Sequence, residues 1–338
     1  MAKKKAGSLE ISDIRVKYDK NDGSLRITSK DPDLRGKPFS LTITGDSPSA
    51  QTMFQVMREN GLAVSDAIPT KLTVESKAEL ESFYDPKKPL QFTLGKTYDS
   101  ASVTMDLASS PHVLLGGGTG SGRSILLRSL LAQIGLRDNF KLTVFDPTTV
   151  EIKSEELRLQ DKVINTPEAL ALELADLDDE IQYRYSRMEA EGVNHFTELS
   201  TKLPYRILML DSASKFLTGE GVNQHNAVAV ARHELAKQLL FSMPRLSRAA
   251  GIHIIISDFS LDPKTIPGET LANIGTRIMM GSSNYLEAVS LLGDKPAYGQ
   301  GVLHNRGRGV VSIYREQTPF QSYYIPSDLL PNGGLQHQ

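Results

Sequence analysis

One stretch of the sequence, from Pro111 to Leu131, constrains the fold of this chain more than any other. Its apolar run from His112 to Leu115 predicts a buried strand, and the apolar spacing from Ser124 to Ile134 predicts a helix. The glycine-rich segment between them, Gly117 to Gly122, has the spacing of a phosphate-binding loop, G-x-x-x-x-G-K-[ST]. Because such a loop needs a strand before it and a helix after it, the three features together predict a P-loop.

The loop is expected to bind a polyphosphate through its backbone. Glycines let N–H groups turn inward without Cβ clashes, and the following helix presents the positive end of its dipole. Ser124 supplies a hydroxyl for Mg²⁺. Arg123 stands where the pattern has lysine, and its forked guanidinium is not equivalent to a compact ammonium between the phosphates. The predicted nucleotide-binding residues are Gly117, Gly118, Thr119, Gly120, Ser121, Gly122, Arg123 and Ser124.

Composition excludes several classes of protein. The 338 residues are 39% hydrophobic and 23% charged, which is typical of a globular chain with a large core. There is no cysteine, which excludes disulfides, thiolate metal sites and cysteine nucleophiles. The net charge of −2 gives no global basic field, so contact with DNA has to come from local patches or a ring channel. No apolar stretch reaches about 18 residues, and we expect a cytoplasmic protein.

Changes of pattern along the chain predict a small N-terminal module ahead of the P-loop domain. In the module, Asn21–Gly23 predicts a hairpin turn, Phe39–Thr44 a further strand and Ser49–Gly61 a helix. None of these segments indicates chemistry, so packing or partner contact is the expected role. The predicted parts are a small α+β module over residues 1–88, a P-loop domain over 89–330 and a flexible tail over 331–338.

The P-loop domain has the pattern of an α/β fold. Further apolar strands are predicted after the loop, and long amphipathic helices separate them. Strands that alternate with helices indicate βαβ units, and therefore a mostly parallel sheet covered on both faces. The predicted strands are Lys141–Phe145, Arg206–Asp211, Gly251–Ile256, Arg277–Met280 and Val310–Ile313, and the predicted helices are Pro167–Gly192 and Ala227–Ala250.

Two carboxylates stand at the ends of predicted strands. Asp211 ends an apolar strand, where a P-loop enzyme holds Mg²⁺ opposite the loop serine, although a helix cap or strand-end turn is the alternative. The next residue is Ser212, whose hydroxyl cannot accept a proton at neutral pH as a carboxylate does. Asp258 follows the next strand and is the candidate for a displaced polar or basic role, with a cap or sensor-like position as the favoured interpretation.

Two other features have simpler explanations. His253 lies inside an apolar strand, and we expect it to be packed and hydrogen-bonded there. His304–Arg308 is a short basic segment punctuated by glycine. A solvated turn is the expectation for it, and contact with a nucleic-acid backbone is the alternative.

Several segments in order resemble the FtsK/SpoIIIE-type ATPases of the HerA–FtsK branch. Ser110 to Ser124 is similar to that family's S-P-H-L-L-I-A-G-A-T-G-S-G-K-S. Ser247–His253 is close to A-R-A-A-G-I-H, and Ala272–Ile278 is close to A-N-I-P-T-R-I. The remaining similar segments are Phe145–Pro147 with Val150–Ile152, Tyr183–Tyr185 with Glu191–Asn194, and Leu208–Asp211.

The resemblance implies a RecA-like motor domain. Members of the family assemble as hexameric rings, bind ATP with Mg²⁺ between subunits, and pull double-stranded DNA through the channel. Relatives also drive plasmid transfer and type VII protein secretion, which implies a membrane-bound transfer or secretion partner. Asp211 then takes the metal position together with Ser124, and Ser212 and Asp258 occupy the catalytic side.

Four motor positions depart from the family pattern. Arg123 replaces the loop lysine, and Ser212 replaces the glutamate after the metal aspartate. Ser257–Ser260 replaces T-Q-R-P, and Ala288 stands where relatives carry an arginine. Because phosphoryl transfer depends on positioning and charge compensation, each change is expected to slow hydrolysis.

Three functions follow as hypotheses. The favoured one is a nucleotide-binding protein of a homo- or hetero-hexameric ring in DNA translocation or transfer, with weakened or absent hydrolysis. The second is an ATPase or pseudo-ATPase subunit for protein export. The third is an interaction scaffold that no longer binds nucleotide.

Overall fold

The chain forms two compact units, Met1–Ala67 and Ile68–Gln338. The computed structural model describes residues 14–18, 25–29, 72–97, 100–149, 157–158, 160–259, 265–281, 285–293 and 306–330. In the first unit, β1 (Ile14–Tyr18) and β2 (Leu25–Ser29) pair antiparallel, which confirms the predicted hairpin. The strand predicted at 39–44, the helix at 49–61 and the tail at 331–338 lie outside the described residues.

The second unit is built on one mixed sheet. Its described strands are β3 (Leu72–Thr73), β4 (Gln91–Lys96), β5 (Ser102–Asp106), β6 (His112–Gly116), β7 (Phe140–Phe145), β8 (Lys162–Ile164), β9 (Tyr205–Leu210), β10 (Ile252–Asp258), β11 (Thr276–Met280), β12 (Arg308–Ile313) and β13 (Glu316–Tyr324). They lie in the order β5-β4-β13-β12-β11-β6-β10-β9-β7-β8, and β3 also pairs with β13.

The centre of the sheet is parallel and one side is antiparallel. Strands β11, β6, β10, β9, β7 and β8 run parallel, whereas β12, β13, β4 and β5 pair antiparallel. Asp258 is in register with Gly116, and Ile256 with Leu210, so β6, β9 and β10 end at the same edge. This arrangement confirms the predicted α/β P-loop fold and places the loop beside both carboxylates.

Helices cover both faces of the sheet. The alternation of side chains along β6 divides the core, because Val113 and Leu115 pack in one apolar layer and Leu114 in the other. Each fully buried leucine of these layers contributes about 1.5–3 kcal/mol. The described helices are α1 (Lys77–Glu81), α2 (Arg123–Gly135), α3 (Pro167–Glu191), α4 (Ala213–Leu217), α5 (Ala227–Leu246), α6 (Gly268–Ala272) and α7 (Tyr285–Leu292).

Local sequence explains the bounds of the longest helix, α3. Thr166 caps its amino end, with the hydroxyl accepting a hydrogen bond from the N–H of Ala169, and Pro167 occupies the first turn. The helix ends at Gly192, whose φ of 69° is left-handed and suits glycine. The predicted helix over 167–192 is therefore confirmed to within one residue.

The segment from Leu72 to residue 88 belongs to the P-loop unit. Strand β3 pairs parallel with β13, and Val74 and Leu80 pack with Ala132 of α2 and Tyr323 of β13. This apolar segment completes the core at the antiparallel side and lies in the compact unit that begins at Ile68. No helix within the described ranges has both the length and the apolar character needed to cross a membrane.

Candidate nucleotide-binding site

The loop after β6 adopts backbone shapes that require glycine. Gly120 and Gly122 have φ values of 77° and 98°, and Gly122 immediately precedes α2. A side chain in this left-handed region costs about 1–2 kcal/mol. A Cβ on Gly118 or Gly120 would meet nothing within 4 Å, so these two residues border open space. The loop therefore presents bare backbone to a cavity.

Gly117 has a different role from its neighbours. A Cβ at this position would lie 2.5 Å from the carbonyl oxygen of Met280 on β11. The residue does not contribute to the cavity wall, which begins at Gly118. Gly117 thus lets the loop leave the sheet closely against β11, and its predicted contact with nucleotide remains a prediction.

The cavity has a volume of about 710 Å³. One side is the continuous segment from Gly118 to Ile125, which includes the amino end of α2. The other lining residues are Leu72 of β3, Phe259, Arg306, Gly307, and Gln321, Ser322 and Tyr324 of β13. Ligand pockets typically measure about 300–1,000 Å³, so the space suits a nucleotide. Because the N–H groups at the start of α2 have no partner within the helix, that end of the cavity favours phosphate.

Arg123 lines the cavity, and its guanidinium contacts groups at the end of the sheet. Its Nη1 donates to the carbonyl oxygen of Gly117 at 3.3 Å, and its Nη2 lies 3.3 Å from Oδ1 of Asp211. The arginine side chain is 11% exposed and the aspartate is fully buried. The guanidinium therefore compensates the charge of the carboxylate that the sequence assigns to Mg²⁺.

Asp211 and Ser212 form a tight turn between β9 and α4. Oδ1 of Asp211 accepts hydrogen bonds from the Ser212 N–H at 3.0 Å and from the Ser257 hydroxyl at 3.4 Å. Ser212 is buried and has a left-handed φ of 56°. A non-glycine residue in this conformation is under strain of about 1–3 kcal/mol, which surrounding contacts have to hold in place.

Asp258 acts on the same turn from β10. Its Oδ2 accepts a hydrogen bond from the N–H of Ser214 at 2.5 Å, at the start of α4. This contact agrees with the cap interpretation of Asp258. Among the described residues that line the cavity, none is Asp211, Ser212 or Asp258. The three residues lie together at the strand ends, and Arg123 connects Asp211 with the loop.

Gly307 contacts the loop in a way that sequence patterns do not indicate. Its N–H donates to the carbonyl oxygen of Ser121 at 2.8 Å, and its own carbonyl accepts from the N–H of Ser322 at 2.8 Å. A Cβ on Gly122 would lie 2.6 Å from the Cα of Gly307. Gly307 thus joins the loop to β13. The contact spans about half the chain, so no local pattern could have revealed it.

The basic segment that contains Gly307 is not a solvated turn throughout. Arg308 is fully buried, whereas Arg306 is exposed and borders the cavity. The expectation of a solvated turn is therefore wrong for Arg308, because the segment continues directly into β12. Residues 304 and 305 lie outside the described part of the chain.

Two buried histidines support the strands that carry the site. His253 packs in β10 with Nδ1 at 3.0 Å from the carbonyl oxygen of Pro111, as expected. Nδ1 of His112 accepts the N–H of Ile254 at 3.1 Å. Burial lowers the pKa of His112 to about 3, with a smaller contribution from His253, and burial lowers the pKa of His253 to about 4. Both rings are therefore neutral and structural at physiological pH.

Sequence comparison identifies relatives over most of the chain. The model of the FtsK/SpoIIIE family matches residues 74–258. DNA translocase FtsK of Chlorobaculum tepidum is 24% identical over 316 residues, which cover 88% of this chain and 38% of the relative. DNA translocase FtsK of Rhizobium meliloti is 26% identical over 274 residues, which cover 71% of this chain and 31% of the relative. The chain thus spans roughly a third of the length of these relatives.

Solved structures share the fold. The pCW3 conjugation coupling protein TcpA, a monomer form with ATPγS, has a TM-score of 0.68 and 24% identity, over 80% of this chain and 74% of that one. The cytoplasmic domain of the type VII secretion ATPase EccC of Thermomonospora curvata has a TM-score of 0.60 and 20% identity, over 76% of this chain and 32% of that one. At this identity the likeness is one of fold alone.

Proposed function

Because the chain belongs to the FtsK/SpoIIIE family, we propose that it binds ATP at the loop after β6 and acts in DNA translocation or transfer, with weakened or absent hydrolysis. The glycine-lined cavity and the amino end of α2, where Gly122 provides no side-chain cap, support nucleotide binding. The curated relatives are DNA translocases, which favours double-stranded DNA over protein as the cargo.

One observation supports weak hydrolysis above all, the contact between Arg123 and Asp211. A P-loop enzyme needs a carboxylate for the metal and a residue that orients or deprotonates the attacking water. In this chain the carboxylate of Asp211 is paired with Arg123. The residue after it is Ser212, which offers only a hydroxyl. Removing one such contribution typically slows catalysis about 10²–10³-fold. Nucleotide binding without efficient turnover is the result that we propose.

Ser124 and Asp211 are the residues that would hold Mg²⁺. A hydroxyl and a carboxylate oxygen suit this hard cation, and the bound ion would neutralise phosphate charge. Because Arg123 already compensates Asp211, the metal has to compete with a guanidinium of the same chain. We therefore propose that nucleotide binding depends only weakly on Mg²⁺.

Assembly and location complete the proposal. We propose a homo- or hetero-hexameric ring that acts in the cytoplasm and is recruited by a membrane-bound transfer or secretion partner. The net charge of −2 means that DNA contacts are local and made to the phosphate backbone. Protein export remains the alternative function, and the shared fold with EccC does not favour it over DNA transfer.

The test measures ATP binding and turnover on the purified chain, with and without Mg²⁺ and with and without duplex DNA of unrelated sequences. We expect binding without turnover, and duplex binding that weakens steeply with salt. The double variant Arg123→Lys, Ser212→Glu should gain turnover of about 100-fold or more. Arg245→Lys, an exposed position on α5, is the control.

Three results would contradict parts of the proposal. DNA-stimulated turnover by the unaltered chain would show a working motor and would contradict the proposal of weak hydrolysis. Absence of salt-sensitive duplex binding would contradict the proposal that DNA is the cargo. Absence of both nucleotide binding and turnover would leave an interaction scaffold.

A further inference from the structure

The turn between β12 and β13 has a composition that is unusual for its shape. Tyr314 and Arg315 form this two-residue connection, and their φ values are 49° and 75°. A two-residue turn with both residues left-handed is of type I′, which strongly prefers asparagine and glycine. Two bulky side chains in this conformation are strained, and strained residues concentrate at functional sites. The turn is therefore a candidate for a role beyond joining two strands.

Neighbouring groups hold the ring of Tyr314 in place. Its hydroxyl donates to the carbonyl oxygen of Ser109 at 2.6 Å, and its N–H donates to the carbonyl oxygen of Gly275 at 2.9 Å. A Cβ on Gly275 would lie 2.7 Å from the ring, so the ring packs against bare backbone. Tyr314 is nevertheless 63% exposed, more than any other aromatic residue in the described ranges. The ring is thus fixed on one side and open to solvent on the other.

Two arginines give the surface beside this ring a positive charge. Nη2 of Arg248 donates to the carbonyl oxygen of Ala108 at 3.0 Å, and the next carbonyl along the chain is the one that Tyr314 contacts. Arg248 and Arg315 are both exposed, and neither forms an ion pair with a carboxylate in the described part of the chain. Burial and, to a smaller extent, the charge of Arg315 lower the pKa of Arg277. The positive charge here is therefore left for a partner to compensate.

This surface lies at the opposite end of the sheet from the glycine loop. Ser109 precedes β6 and Gly275 precedes β11, so the turn is at the amino ends of these two parallel strands. The glycine loop follows the carboxyl end of β6, whose five residues span about 16 Å. A ligand on the Tyr314 ring therefore occupies a site separate from the cavity.

We infer that Arg248, Tyr314 and Arg315 bind single-stranded nucleic acid, with an unpaired base on the tyrosine ring and phosphates on the two guanidiniums. Arginine suits phosphate, and every base has a face that can stack on an aromatic ring. In a duplex the neighbouring pairs cover the base faces, so the ring has nothing to stack on. An acidic peptide satisfies the charges but offers the ring no flat partner. The inference goes beyond the proposed transfer of duplex DNA and does not depend on nucleotide binding at the loop.

The test measures how the full chain binds labelled oligo(dT) of about 12 nucleotides, a length within the site sizes of single-strand binding folds, and a duplex of equal length. Fluorescence anisotropy without ATP gives both affinities. Tyr314→Ala should weaken oligo(dT) binding about tenfold and leave duplex binding within about threefold. Tyr314→Phe, which keeps the ring, should bind like the unaltered chain.

The salt dependence tests the two arginines. The double variant Arg248→Gln, Arg315→Gln should weaken oligo(dT) binding. It should also make the slope of log affinity against log salt shallower by about 1.4, since each phosphate contact on a single strand contributes about 0.7. Tyr183→Ala, at a tyrosine that is 50% exposed on α3, and Arg245→Gln, at an exposed arginine, are the controls and should change neither affinity. A cooperative thermal transition shows that each variant is folded.

Contrary results separate this inference from the proposed function. No effect of Tyr314→Ala on oligo(dT), or equal losses for oligo(dT) and duplex, would overturn base stacking at this site. Displacement of oligo(dT) by polyglutamate as readily as by unlabelled oligo(dT) would indicate a surface for acidic peptides and would also overturn it. Loss of oligo(dT) binding in Tyr314→Ala by a chain that does not bind duplex would support this inference and contradict duplex DNA as the cargo.

Discussion

The loop after β6 and the ends of β9 and β10 lie at the same edge of the sheet, yet they differ in what they retain. The loop keeps its glycines, its helix start and an open cavity. At the strand ends, Asp211 contacts an arginine, Ser212 carries only a hydroxyl, and Asp258 caps α4. Under the proposed function, nucleotide binding rests on the loop and hydrolysis rests on the strand ends, so that one part of the site can change while the other stays.

The largest effect expected from a single substitution concerns the contact that joins the two regions. Arg123→Met should reduce the free energy of unfolding by about 3 kcal/mol, because it leaves the charge of Asp211 buried without its guanidinium. Urea unfolding at neutral pH measures the loss. Adding Asp211→Asn to the variant should recover most of it, and Arg245→Met at an exposed position should have no effect. If Asp211→Asn recovers nothing, the two regions are not coupled through this ion pair.

The next effect tests the loop alone. Gly122→Ala should weaken ATP binding about 100-fold, equivalent to about 2.7 kcal/mol, since the new Cβ meets the Cα of Gly307 and the backbone is left-handed. Gly268→Ala is the control, because a Cβ there also meets nothing within 4 Å and the residue is not part of the described cavity wall. Its affinity should stay within about threefold of the original. Titration with ATP compares the two, and equal losses would show that the contact with Gly307 is unimportant.

A third prediction concerns the buried histidines of β6 and β10, two of the strands that carry these regions. In the folded state the pKa is about 3 for His112 and about 4 for His253. In the unfolded state a histidine has a pKa of about 6.5 and is protonated below that pH. The unfolded state therefore binds more protons as the pH falls, and stability present above pH 6.5 is lost progressively towards pH 4. At pH 5 the expected loss is about 2 kcal/mol for each histidine.

Urea unfolding at pH 7.5 and pH 5 measures this dependence. His253→Asn should remove about half of the difference between the two pH values, whereas His225→Asn at an exposed position should leave it unchanged. An unaltered difference in His253→Asn would mean that other groups cause the sensitivity to acid.

The smallest effect distinguishes a structural from a chemical role at the strand ends. Asp258→Asn should cost about 1 kcal/mol, because the amide accepts the Ser214 N–H less strongly than a carboxylate does. ATP binding should not change, since Asp258 is absent from the described cavity wall. Thermal unfolding with and without ATP gives both quantities. A variant that is stable but no longer binds ATP would place Asp258 in the binding region instead.

Much of the fold follows from local patterns. The apolar run at His112–Leu115 and the helical spacing after it specify β6 and α2, because each element has its own side-chain period. Successive strands and helices then require a parallel centre with two covered faces. The glycine loop follows from spacing alone. These predictions succeed since each depends on residues that are close together in the chain.

What sequence patterns did not provide depends on distant contacts. A two-residue strand such as β3 has no period to detect, and only its pairing with β13 places it in the P-loop unit. The orientation of Arg123 towards Asp211 is a choice among rotamers that packing decides. The substitution of Ser212 for a carboxylate was visible in the sequence, but its left-handed backbone was not, because serine has no preference for that conformation.

The meeting of Gly122 and Gly307 has a mechanical consequence. Backbone touches backbone there, without a side chain between them whose rotamers could absorb a small displacement. Close-packed contacts of this kind transmit movement rather than damp it. A shift of a few tenths of an ångström at the start of α2 therefore has to move the turn that leads into β12 by a similar amount. A displacement of the loop by a bound ligand is in this way passed on to the antiparallel strands at the side of the sheet.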